Sequence, residues 1–212
     1  MGRVCMTTPA NDMERYLQPT YFLDSDTGAV KDLVATITAH KTTDVDKAVA
    51  LFYWVRDEIR YDVYALSENP ADYKASAVIE KRIGWCVPKA VLLAALARAV
   101  GVPSRLHFAD IRNHQIGEKL LDVMQTNLFF YHGYTEMYLK DTWVKATPAF
   151  NAELCHKMGH KTVAFDGLSH GMLPATTLNN EKHVEYVKDR GTAPDLPLEE
   201  IMDYFKKVYP SM

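Results

Sequence analysis

Two residues of this chain have the type and the surroundings that thiol chemistry needs. Cys86 opens an apolar run, Val87 to Val100, in which Pro88 suits a first helical turn and Gly101 and Pro103 enforce a stop. A thiol attacks a carbonyl only as thiolate, and a helix N-terminus favours the thiolate through its unpaired N–H groups and positive dipole end. Those same amides are placed to bind an oxyanion, with Trp85 alongside as wall or donor. His132 begins an aromatic-rich stretch and is the candidate base for such a nucleophile. The chemistry would be attack on an amide, peptide or ester carbonyl through a thioester acyl-enzyme. Each residue also has a plainer reading. A lone cysteine in an apolar helix is ordinarily a core residue, and most histidines are structural groups bonded to backbone.

Elements that would position the pair are legible along the chain. Thr43 and Asp46 form a capping box, and Val45, Ala48, Val49, Phe52, Val55 and Ile59 recur at helical spacing, which predicts a helix over 44–60. A short helix is expected around 75–82. The Val87–Val100 run is apolar nearly all round, so its helix must be buried. Strands are expected over 105–109, 129–139 and 143–149, the last two joined by a turn at Lys140–Asp141–Thr142. Alternation on 129–139 puts His132, Tyr134, Glu136 and Tyr138 on one face and Gly133, Thr135, Met137 and Leu139 on the other. Tyr134 thereby joins Trp85 as a candidate for substrate binding. The tail, 152–212, reads as helical pieces at 153–158, 181–188 and 198–208, with Gly167–Pro174 as a loop bordering the cleft. Residues 1–15 read as a loose leader. Helices first and strands second indicate an α+β fold in one domain over 1–212, with its core at about 44–150.

Four motifs in order carry a resemblance. Gly84-Trp85-Cys86-Val87-Pro88, Gly101-Val102-Pro103 before Arg105, His132-Gly133-Tyr134-Thr135-Glu136 and Trp143-Val144-Lys145 together resemble the transglutaminase-like superfamily, whose core is papain-like. The flanks, Gln18-Pro19-Thr20 and Val55 to Tyr61, resemble its bacterial stand-alone group. The resemblance implies a buried helix carrying Cys86, packed on an antiparallel sheet carrying His132. It also implies a third residue, an Asp that orients the histidine, and here Thr147 stands at that position. Either Thr147 serves, without a charge to stabilise imidazolium, or Asn151 acts as the Asn of papain-like triads does. Asp110 and Asp166 are further carboxylates that folding could bring near.

What the resemblance implies is a cysteine enzyme, more readily a hydrolase than a crosslinker. The alternatives are a binding protein that has lost turnover and a biosynthetic acyltransferase using thioester donors. The expected partner is a peptide, amide or other small acyl substrate. A net charge of -3 speaks against nucleic acid, and no apolar run is long enough to span a membrane. Three dispersed cysteines, Cys5, Cys86 and Cys155, and an N-terminus without a signal pattern fit the cytoplasm. Cys155, His156 and His160 raise a metal reading, but Gly159 breaks their helix, so no metal and no cofactor is expected.

Overall fold

A computed structural model describes residues 13–209. The expected leader therefore lies mostly outside the described residues. Helix α1 (Gly28–Thr38) precedes α2 (Asp44–Glu58), which starts where Thr43 Oγ1 accepts the Asp46 N–H at 3.1 Å. Two short strands, β1 (Arg60–Tyr61) and β2 (Ile83–Gly84), pair in parallel around α3 (Ala75–Lys81). Immediately after β2 comes α4 (Cys86–Ala99), the centre of the molecule.

Every residue of α4 from Cys86 to Arg98 is buried. It is packed by α1, α2 and α3 on one side and by the sheet on the other. Each fully buried Leu or Val of such a helix contributes roughly 1.5–3 kcal/mol of hydrophobic stabilisation, so α4 is the element around which the rest condenses. The helix stops as its sequence requires. Gly101 adopts φ +82°, and the Val102 N–H reaches back to Ala97 O at 2.9 Å. Arg98, near its end, donates to Gln18 O, Ser104 O and Pro194 O, pinning three distant segments.

The sheet has four strands: β3 (Ser104–Asn113), β4 (Leu128–Leu139), β5 (Thr142–Ala146) and β6 (Val184–Ala193), in the order β5-β4-β3-β6, with all neighbours antiparallel. Lys140 and Asp141 both have positive φ and make the tight β4–β5 turn. Three further helices, α5 (Glu118–Met124), α6 (Ala152–Met158) and α7 (Leu198–Val208), complete the described chain. The α+β architecture, with a buried cysteine helix against an antiparallel sheet, is the one the sequence pattern indicates.

One expected helix is a strand. The helical piece expected at 181–188 is not one: Val184–Ala193 is β6, paired along the length of β3, with Glu185 and Lys188 among its charged residues. Those charged residues are the outward positions of an edge strand, where polar side chains stay in water. The tail is thus part of the sheet.

Candidate active site

The sulfur of Cys86 sits where β4 touches the head of α4. Backbone N–H groups of Cys86, Val87 and Gly133 are directed at it. The close approach depends on Gly133. A Cβ there would lie 2.9 Å from Val87 Cγ2 and 3.2 Å from Val87 Cα. One turn along, Thr135 Oγ1 donates to Ala90 O at 2.9 Å, so this face of β4 is fixed to the helix by packing and by a hydrogen bond.

His132 directly precedes Gly133, and a local irregularity presents it. The β3–β4 register shifts by one residue between the Ala109–His132 and Ile111–Phe129 pairs, which inserts an extra residue into β4. Tyr131 takes up that bulge at φ +54°, a region that bulky residues rarely enter. Its N–H is accepted by Asp110 Oδ1 at 3.2 Å, and Asp110 also forms a buried ion pair with Arg190. The guanidinium of Arg190 lies over the rings of Tyr131 and Tyr204. The kink that sets the direction of His132 is therefore held by a carboxylate from β3 and a cation from β6.

Burial governs the protonation of the pair. It pushes the Cys86 thiol up to about 11, against the opposing pull of the three N–H groups, and it pushes His132 down to about 3. At neutral pH the resting pair is thiol and neutral imidazole. The helix-tip amides favour the thiolate, as the sequence indicates, and desolvation opposes them more strongly. Among the described residues, His132 Nε2 is buried and has no hydrogen-bond partner.

Cys86 and His132 both line a cavity of about 180 Å³. They also line a smaller one of about 30 Å³, closed by Trp85, Phe205 and Tyr209. Phe205 lies on α7 and packs on the Trp85 ring at 5.8 Å, while Tyr209 just beyond it donates to Leu128 O. The C-terminal segment thus roofs the nucleophile. The loop expected to border the cleft, Gly167–Pro174, instead runs beside β5, where Gly171 bridges Lys145 and Thr147.

The other expected site residues are placed as follows. Trp85 is adjacent to the sulfur, and its buried indole N–H has no partner among the described residues. Tyr134 lies 6.2 Å from the His132 ring but stacks on His107 at 4.7 Å and lines a separate cavity with Lys145 and Asp189. Thr147 is fully buried and bonds to the Tyr186 hydroxyl and to Met172 Sδ at 3.7 Å. Asn151 donates to Arg56 O at 2.6 Å, Asp57 O at 3.1 Å and Ile59 O at 2.9 Å and accepts the Tyr61 N–H at 2.7 Å. Its amide is saturated by backbone. Asp166 accepts the N–H groups of Leu168 and Ser169 in a turn.

The sequence reading missed Tyr186. Its ring meets His132 edge-on at 6.1 Å, and its hydroxyl is held by the Leu173 N–H and by Thr147. It sits on β6, the strand misread as helix. The Val184–Tyr186 alternation was the available signal. Tyr61, which lines both cavities, is a second residue not singled out for the site.

Comparison with known proteins gives the family and a similar fold. Residues 31–148 match the family profile described as the transglutaminase-like superfamily. A comparison with curated proteins gave no match. Among solved structures, a candidate cysteine protease from Cytophaga hutchinsonii is similar at a TM-score of 0.56 and 18% identity, over 87% of this chain and 47% of that one. The periplasmic domain of TgpA from Pseudomonas aeruginosa is similar at 0.47 and 18%, over 65% and 46%. A candidate protease from Parabacteroides distasonis follows at 0.40 and 11%, over 63% and 24%. The chain spans about half the length of the first two, or less.

Proposed function

Because this chain belongs to the transglutaminase-like superfamily, a family whose fold supports cysteine-dependent acyl chemistry, we propose that it is a cysteine acyl hydrolase acting through Cys86 and His132. The observation that carries this reading is the convergence of three backbone N–H groups on the Cys86 sulfur, in a cavity that the His132 imidazole also lines. The thiol adds to a carbonyl carbon, and its proton passes to neutral His132. The negative charge on the carbonyl oxygen forms within reach of the helix-tip amides and the Trp85 indole N–H. His132 then protonates the leaving group, and water cleaves the thioester. Thr147 acts on His132 indirectly, by fixing the Tyr186 ring against it.

Hydrolysis is preferred over crosslinking because neither cavity at Cys86 is lined by an Asp or Glu that would hold a cationic amine acceptor. The reading is tested by incubating the protein with p-nitrophenyl acetate and following Cys86 by intact mass. A transient acetyl adduct, absent in Cys86→Ala and slowed at least about a hundredfold in His132→Ala, supports it. A second reading, a binding protein with a dormant thiol, is favoured by the neutral resting pair. Absence of any adduct with ester, thioester and amide donors decides for it. Preference for a thioester donor, with the acyl group passed to an added amine, would favour the acyltransferase. We place the protein in the cytoplasm, where Cys86 and Cys155, both free, stay reduced.

A further inference from the structure

We propose that the 180 Å³ cavity beside Cys86 is an acyl-group pocket for an uncharged, apolar group of about six to nine carbons, an aliphatic chain or a phenyl ring. This rests on the reading of Cys86 as an acyl-accepting nucleophile and adds the class of substrate.

Three observations carry it. The first is size and place. An apolar cavity of about 150 Å³ accommodates benzene, and this one is slightly larger and opens on the sulfur and on His132. The second cavity at Cys86 has room for little more than a water molecule, so an acyl group has one direction to take. The second observation is the wall. Val63, Ile111, Ile116, Leu120, Phe129 and Leu154 are among its apolar lining, and none of the described lining residues is Asp, Glu, Lys or Arg.

The third observation concerns its polar groups. Asn113 and Gln115 are uncharged amides, each with one polar atom already engaged: Asn113 Oδ1 accepts the Gln115 N–H at 2.9 Å and Gln115 Nε2 donates to Lys182 O at 2.9 Å. His160, another lining residue, packs at a tilt against His183 with ring centroids 4.0 Å apart, and burial depresses its protonation. A carboxylate or ammonium group entering here would lose its water and find no counter-charge. An apolar group exchanges water for methyl and aromatic surface. Leu121 and Met158, both exposed near this end of the molecule, offer an apolar approach.

The test uses the whole protein and four p-nitrophenyl esters: acetate, hexanoate, 3-phenylpropanoate and monoglutarate. In each the Cys86 C–S bond forms, the ester C–O bond breaks, p-nitrophenolate leaves and the thiol proton passes to His132. Hexanoate and 3-phenylpropanoate are expected to acylate Cys86 at least tenfold faster than acetate, and the glutarate slower than either. Their order tells an aliphatic from an aromatic acyl source. Filling the cavity with Ile116→Trp or, should that variant not fold, Leu120→Trp is expected to abolish the preference.

Binding of 3-phenylpropanamide to Cys86→Ala, followed by calorimetry, separates the pocket from the chemistry. Binding that Ile116→Trp removes, without acylation of the native protein, retains the pocket and defeats the hydrolase reading. Equal acylation by all four esters, a preference for glutarate, or no binding of the amide overturns the pocket.

Discussion

The carboxylate of Asp110 accepts the N–H of Tyr131 at 3.2 Å, and Tyr131 stands at φ +54°, one residue before His132. A tyrosine holds such a backbone only where its surroundings over-determine it. Here Asp110, Arg190 and the Tyr131 hydroxyl bond to Glu200 together do so. The register of β3 also shifts against β6 on either side of this level, between Phe108 and Ala109 and between Asp110 and Ile111, so both neighbours of β3 bend around Asp110. A candidate base is being aimed by a bulge, and the bulge is being held by a buried carboxylate.

Asp110→Ala therefore removes the acceptor of a strained N–H and leaves the Arg190 guanidinium buried without its partner. Loss of one member of such a pair costs about 3–5 kcal/mol. Urea unfolding is expected to show that loss, with Asp110→Asn intermediate because its amide oxygen still accepts the Tyr131 N–H. Esterase rates of folded Asp110→Asn are expected to fall more in kcat than in KM. An unchanged kcat would mean that the bulge does not direct His132.

Gly133 links the base strand to the nucleophile helix by having no side chain. In Gly133→Ala the new methyl meets Val87 Cγ2 and backbone Cα, so β4 must withdraw by several tenths of an ångström. That movement takes the Gly133 N–H away from the Cys86 sulfur. Esterase kcat is expected to fall at least about tenfold, since misplacement of catalytic groups is costly. Circular dichroism should still report a folded protein, with stability down by about 1–3 kcal/mol for overpacking. Wild-type kcat in Gly133→Ala would show that the third N–H is dispensable.

How much of this was legible beforehand follows from what each part depends on. The α4 run could be read as a buried helix because an unbroken apolar stretch closed by Gly101 and Pro103 permits little else. The β4–β5 hairpin could be read for similar local reasons. Strand β6 could not, since its Glu, Lys, Asp and Arg residues satisfy helix propensity equally well and only pairing with β3 decides. With β6 misread, Tyr186 had no route into the site. The bulge at Tyr131 was likewise hidden, because it is enforced by Asp110 and Arg190 from other strands. The sign of the Cys86 shift depends on how deeply the tail buries it, which no local pattern reports.

Asn151 and Lys89 donate to the same two carbonyls, those of Arg56 and Ile59, where α2 ends and β1 begins. Such double coverage makes Asn151 a fastener of β1 and hence of Tyr61 at the cavity wall. Asn151→Ala leaves both carbonyls with Lys89 but strips the Tyr61 N–H of its acceptor. The expected cost is about 1–3 kcal/mol in urea unfolding, with KM altered more than kcat. A triad residue would behave in the opposite way, so a hundredfold fall in kcat with unchanged stability would return Asn151 to the chemistry.

Two buried histidines give the fold an acid limb. Among the described residues His183 has no partner for either ring nitrogen, and it is held near 4 by desolvation and by His160, while desolvation holds His132 near 3. Unfolded histidines titrate near 6.5. Between pH 6.5 and about 4 the unfolded chain takes up protons that the native state refuses, so stability is expected to fall as pH drops through that window. The loss is on the order of 2 kcal/mol per histidine by pH 5. His183→Phe keeps an aromatic ring against Phe150 and His160 and should flatten the limb by about one histidine's share. An unchanged pH dependence of the urea midpoint would mean that His183 titrates as a solvated residue.

The roof over Cys86 sets how the thiol responds to pH. A nucleophile held near 11 by burial is expected to react slowly with iodoacetamide at pH 7, and its rate should climb as pH rises toward 11, because only the thiolate alkylates. Phe205 and Tyr209 contribute to that burial from the C-terminal segment. Phe205→Ala removes the ring packed on Trp85, admits water to the sulfur and leaves the three N–H groups in place to favour thiolate. Its alkylation profile should therefore move to lower pH by at least one unit, toward the ordinary thiol value near 8.5. Measured by mass spectrometry on Cys86, a wild-type profile already centred at or below 8.5 would show that the roof stands open in solution. An unshifted Phe205→Ala profile would place the desolvation in the sheet and α4, with the tail a bystander.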